Sequence, residues 1–289
     1  MCIRDRFNTV RYSEKLLQSY GISVTTVDLS EMLGNAGRLG DDDPRVRAKL
    51  DAVREYIPTD GVPPEPLARM ARLGVAIDEW MAAYDLDASA IQCWNSIQQN
   101  GGINACTLMS MMSERLMPSA CEVDITGAVS MYALQLASGR PSALVDWNNN
   151  YGGDPNKCVL FHCGNWARSF YTEARMAYAE ILATTLGREN TYGAVAGRVP
   201  EGPMSYARVT TDDLEGEIRS YMGDARYTAD PLDTFGSRAV VEVADLQSLL
   251  HYVCKNGFEH HVAMNPSHTA AVLAEAFDTY FGWDVYRHS

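Results

Sequence analysis

Apolar residues recur with helical spacing at Phe7, Val10, Leu16, Leu17 and Tyr20, and Gly21 follows as a stop, which predicts an amphipathic helix over 7–20. Ile22 to Leu29 alternates and predicts a strand. Asp43-Pro44 supplies an N-cap and a first-turn proline for a helix to Tyr56, and Pro66 opens another to Tyr84. Ala88 to Cys93 predicts a short apolar strand. Asn104 is placed to cap a helix over 105–116 that Pro118 stops. Ala120 to Val123 predicts a strand, 127–137 a helix ended by Gly139, and Ala143 to Val145 the next strand. Strands alternating with helices at this spacing predict a parallel sheet in an α/β domain.

The pattern changes after Asp146. Asn148-Asn149-Asn150-Tyr151-Gly152-Gly153 favours a turn, and 157–224 holds short Val-, Tyr- and Thr-rich segments broken by Gly, Pro and Asp. These predict antiparallel strands in a barrel or sandwich. Helices over 245–256 and 267–281, with strands at 240–243, 262–264 and 284–286, complete the chain. The expected organisation is an α/β protein: a parallel α/β sheet domain over 7–138, then a mostly antiparallel, β-barrel-like C-terminal domain with helices over 139–289. Residues 1–6 are charged and read as a non-native leader.

Composition narrows the function classes. The 289 residues carry 24 Lys+Arg against 37 Asp+Glu, a net charge of −13, which repels phosphate backbones and anionic lipid. Neither nucleic acid nor a membrane is an expected partner, and a cytoplasmic location is expected. Seven cysteines without a Cys-x-x-Cys pair read as reduced, mostly buried thiols. The sequence contains neither the phosphate-cradling Gly-x-Gly-x-x-Gly nor the Gly-x-Ser-x-Gly nucleophile elbow.

Carboxylates and imidazoles at strand ends remain. Glu122 and Asp124 end one apolar run, and Asp146 ends another, where an α/β sheet opens its ligand crevice. Asp124 is equally placed to cap the following helix. Clustered buried carboxylates are costly unless a cation neutralises them. His162 and the pair His260-His261 also follow or open apolar segments. Adjacent histidines on a strand point to opposite faces, so one at most is expected to face a given site. Two oxygens and one imidazole, with open positions, suit Mn²⁺ or Mg²⁺ better than a closed zinc site.

Three segments carry a family likeness: Cys121-Glu122-Val123-Asp124-Ile125-Thr126-Gly127-Ala128, Val145-Asp146-Trp147-Asn148-Asn149, and Gly257 to Asn265. Together they resemble the L-fucose isomerase and L-arabinose isomerase superfamily, from about Phe7 to the end. The aspartate in Asp-Trp-Asn-Asn places the likeness in the fucose-isomerase-like branch. Such enzymes normally begin with a further N-terminal α/β domain, which this chain is expected to lack. A neighbouring subunit's N-terminal region also helps complete the pocket in that family.

The resemblance implies a metal-dependent aldose–ketose isomerase working through an enediol, with a small-molecule sugar substrate and a homo-oligomeric assembly. It implies Mn²⁺, with Mg²⁺ or Co²⁺ as substitutes, held by Glu122, Asp146 and His261. Glu122 and Asp146 would also exchange protons with the sugar. His260 would lie beside the substrate, and His162 occupies a position where one branch places a further imidazole. Trp94, Gln98 and Asn148 are candidates for sugar contact, as are Trp147 and Asn165. The alternatives are a sugar-binding or regulatory relative without turnover and an isomerase for a sulfonated or acidic sugar.

Overall fold

The computed structural model describes Thr9 and residues 11–289. The expected leader, and positions Phe7 and Val10 of the first expected helix, lie outside the described residues. The helix described there, α1 (Glu14–Ser19), is capped by Ser13, whose hydroxyl accepts from the Leu16 amide.

End signals set the N-terminal helices. Asp43 accepts from the Arg45 amide at 2.8 Å and Pro44 sits in the first turn, so α3 runs Pro44–Tyr56 as its sequence predicts. Pro64, not Pro66, opens α4 (Pro64–Ala83). Val53, Ile57, Leu67, Met70 and Leu73 share one core with Met32 and Ala36 of α2 (Leu29–Gly37). The strand predicted over 22–29 does not form. Ile22, Val24 and Val27 pack sideways onto the cores, but no strand among the described residues pairs with them, and Asp28 caps α2 instead.

The parallel sheet is smaller than predicted. It holds two strands, β1 (Ser89–Ala90) and β2 (Ser119–Ala120), with α5 (Cys106–Glu114) between them in the chain. Ala105, not Asn104, is the N-cap of α5, because Asn104 accepts the Cys106 S–H and donates its amide N–H to Tyr192 O. β2 stops early because Glu122 and Val123 take left-handed backbone angles, φ 56° and 54°, which turn the chain into α6 (Ile125–Ser138).

The second sheet has nine strands and starts at β3 (Ala143–Asn150), which was expected to extend the parallel sheet. It is instead antiparallel to β4 (Lys157–His162) and β10 (His261–Asn265). The asparagines expected to form a turn continue β3 past a bulge between Trp147 and Asn149. The other strands are β5 (Ala174–Tyr178), β6 (Tyr192–Arg198), β7 (Gly202–Asp212), β8 (Glu217–Tyr227), β9 (Ser237–Glu242) and β11 (Asp284–Arg287). The order is β11-β8-β7-β10-β3-β4-β9-β6-β5, and β8 also pairs with β9. Strands β8, β7, β10, β3, β4 and β9 thus form a closed circuit, antiparallel at every step. The helix expected over 267–281 divides into α7 (Ala270–Glu275) and a π-helical turn, Ala276–Tyr280. Leu144, Ala207, Val209 and Ala263 pack against Met131 and Leu134 of α6, which fixes the start of α6 beside the ends of β3 and β10. No helix among the described residues is long and apolar enough to cross a membrane.

Candidate metal centre and active site

His261 and Asp146 are register partners across β10 and β3, so their side chains stand on one face of the sheet, beside each other. The left-handed turn after β2 brings Glu122 to the same place. His261 Nε2 lies 3.4 Å from Asp146 Oδ1 and 3.5 Å from Glu122 Oε2. On the other side of the ring, His261 Nδ1 donates to Asp124 Oδ2 at 2.9 Å. A carboxylate only accepts, so this bond puts a proton on Nδ1 and turns Nε2, the nitrogen free to ligate a metal, towards the other two carboxylates. Nε2 faces two carboxylate oxygens, and both His261 Nε2 and Asp146 Oδ1 are buried without a hydrogen-bond partner. Three potential ligand atoms aimed at one point are satisfied by a cation.

His162 joins this group. Ligand atoms of Glu122, His162 and His261 all lie within 4.8 Å of one another, as do those of Asp146, His260 and His261. Burial works against a charged His162, but Cys163, Asp146 and Glu122 more than offset it and push its pKa up to about 10. The negative field that holds that proton is the field a divalent ion would neutralise. Burial, then the adjacent His261 ring, lowers the pKa of His260.

The expectation that only one of the paired histidines faces the site is overturned. His260 Nε2 also reaches Asp146 Oδ1, at 3.5 Å, and the two rings are 4.4 Å apart. Strand alternation does not apply because His260 lies in a bend before β10 begins.

A buried ionic network supports the cluster. Asp124 caps α6 by accepting from the Gly127 amide at 2.7 Å, and it also holds His261 and a fork from Arg208. Its two sequence-based readings resolve into a cap that also orients a ligand. Burial alone would raise the Asp124 pKa, but Arg208 and then His261 outweigh it and hold the carboxyl well below its ordinary range. Arg208 continues to Glu259 at 3.1 Å and Thr126 at 2.9 Å. Asp124 and Glu259 share the Arg208 guanidinium, whereas Glu122 and Asp146 converge on His261, an excess of negative charge consistent with a cation site.

Trp94 is at this site, its indole N–H donating to Glu122 Oε1 at 3.3 Å. Gln98 is buried and donates to Cys93 O at 2.7 Å. Asn165 is buried and donates to Ser119 O. Trp147 turns to the other face of β3, where it donates to the Tyr221 hydroxyl and packs edge-on against Tyr206. Asn148 is exposed beside the β3 bulge. Sequence reasoning missed Arg208 and Glu259. The available signal was an arginine between Ala207 and Val209 in an otherwise apolar strand, a place where a charge persists only with a partner.

Residues 160–289 match the family model described as L-fucose isomerase, C-terminal domain. The three-motif resemblance is supported. A sulfoquinovose isomerase of Alkalicoccus urumqiensis is 32% identical over 250 residues, 85% of this chain and 54% of that protein. One from Priestia megaterium is 24% identical over 261 residues, 89% of this chain and 56% of its own length. Another from Clostridium sp. is 25% identical over 162 residues, 54% of this chain and 34% of its own length. The chain spans about half the length of the first two of these relatives. Among the cluster residues, His162, His260 and His261 fall inside the stretch that matches this family model, whereas Glu122 and Asp146 precede it in the chain.

Proposed function

We propose that this chain is the metal-binding and catalytic part of an aldose–ketose isomerase, and that its substrate is sulfoquinovose or a closely related sulfonated aldose. The observation carrying the catalytic reading is the cluster of Glu122, Asp146 and His261 Nε2, two of whose facing atoms are buried without partners. The substrate class rests on the names of the three relatives.

Glu122, Asp146 and His261 would hold a divalent ion, Mn²⁺ in this reading, with His162 beside them. Bound there, the ion supplies Lewis acidity to the carbonyl and neighbouring hydroxyl oxygens of an open-chain sugar. The remaining work falls to the side chains. Glu122 and Asp146 approach the centre from separate segments and both keep partly exposed edges. One would take the proton from the carbon beside the carbonyl while the other serves the adjacent oxygen, passing through an enediol. Such acid–base work contributes about 10²–10⁴-fold. Trp94 holds Glu122 Oε1 and so orients that carboxylate. His260, half exposed and beside Asp146, would bond a sugar hydroxyl.

We read the six-strand circuit as a barrel-like C-terminal domain over 139–289, following a middle domain over 7–138. A cytoplasmic homo-oligomer is part of the same reading, in keeping with the free thiols.

The test is solvent-deuterium incorporation at the carbon beside the carbonyl, followed by NMR, with sulfoquinovose and neutral hexoses in the presence of Mn²⁺. Incorporation into the sulfonated sugar by the wild type, lost in Glu122→Gln and Asp146→Asn, is expected. Full turnover in either variant would overturn the assignment. Sugar-dependent thermal stabilisation without incorporation would establish a binding protein instead.

A further inference from the structure

Behind the carboxylate cluster lies a second convergence of ligand atoms that the isomerase reading does not use. Cys93 follows β1, Cys121 follows β2 and Cys163 follows β4, yet their three sulfurs all lie within 4.8 Å of one another. A fourth, Cys106 at the start of α5, is 3.8 Å from Cys163. Only Cys163 of the four is not fully buried. Neighbouring apolar side chains would fill such a core position equally well, and three thiols gathered from separate segments are a ligand set for soft cations.

We propose that Cys93, Cys121 and Cys163 form a second metal site, selective for a thiophilic d¹⁰ ion such as Zn²⁺ or Cd²⁺ and distinct from the carboxylate centre. A Zn–S bond of about 2.3 Å needs sulfurs about 3.8–4.0 Å apart in tetrahedral or planar arrangement, so the trio needs to contract by less than about 1 Å. His162 Nδ1 stands 3.5 Å from Cys163 Sγ and can donate to that sulfur once it is bound as a thiolate. His162 also stands among the ligand atoms of the carboxylate cluster, so the two centres would share one imidazole. Cys106 stays outside the ligand set because its S–H is engaged by Asn104 Oδ1 at 3.2 Å.

Cd²⁺ titration of the fully reduced protein tests this by the ultraviolet thiolate-to-cadmium charge-transfer band. One equivalent should saturate the band in the wild type, in Glu122→Gln and in the exposed-thiol control Cys254→Ser. Cys93→Ser, Cys121→Ser and Cys163→Ser should each bind Cd²⁺ at least tenfold more weakly. Cys106→Ser should keep the band. No band in the wild type, a band lost in Cys254→Ser, or full-strength binding in both Cys93→Ser and Cys163→Ser would overturn the site. The wild-type titration decides even where a serine variant fails to fold. Because Glu122→Gln disables only the carboxylate centre, failure of the thiolate site is separable from failure of the isomerase reading.

Discussion

Asp124 Oδ2 accepts the His261 Nδ1 proton at 2.9 Å, and that contact decides which imidazole nitrogen faces Glu122 and Asp146. Asp124→Asn keeps the shape but has one acceptor oxygen to divide between His261 and Arg208. Removing such an outer partner of a ligating histidine typically costs about 10–100-fold in metal affinity. Isothermal titration with Mn²⁺ should show a loss of that size, and unchanged affinity would remove the orienting role.

Arg208 is tied to Asp124, Thr126 and Glu259 while fully buried. Lysine keeps the charge but cannot reproduce the planar fork that reaches three partners. Breaking a buried ion pair costs about 3–5 kcal/mol, and Arg208→Lys should lose a substantial part of that in urea unfolding. A loss below about 1 kcal/mol would show that the network does not hold the site together.

Much of this architecture is legible in the chain because it depends on local signals. Asp43-Pro44 starts α3 and Gly139, at φ 66°, ends α6. Glu122 and Asp146 both stand beside the late imidazole His261, although Asp146 lies inside β3 and not at its end. The misreadings all depend on distant partners. The alternation at 22–29 looks like a strand, but no neighbouring strand among the described residues offers hydrogen bonds. Ala143–Val145 looks like a parallel strand, yet its partners β10 and β4 come later and run the other way. The thiol trio could not be read from spacing, since its members are joined only by the fold.

The cluster sets the Glu122 and Asp146 carboxylates beside His261, so a bound ion should stabilise the fold measurably. With no binding to the unfolded chain, free Mn²⁺ at a hundred times its dissociation constant adds about 2.7 kcal/mol. Differential scanning calorimetry should show the melt shifting up with Mn²⁺ and back with chelator. Asp146→Asn should lose most of the Mn²⁺ shift, because it removes one of the three donors. A shift of equal size in that variant would place the ion elsewhere.

Gly127 sets two magnitudes against each other. It lies within α6, where alanine is ordinarily favoured by about 0.5–1 kcal/mol. Here a Cβ would stand 2.5 Å from Asp124 Oδ2 and 2.9 Å from Leu144 Cδ1. Leu144 can adjust, but Asp124 is held by Arg208, His261 and the Gly127 amide itself. Overpacking of this kind costs about 1–3 kcal/mol, so the clash should exceed the helical gain. Gly127→Ala is therefore expected to be less stable than the wild type in urea unfolding. It should also bind Mn²⁺ more weakly, because displacing the Asp124 carboxylate frees the His261 ring. A variant that gains stability with its Mn²⁺ affinity intact would mean that Asp124 has room to move and does not fix the ligand.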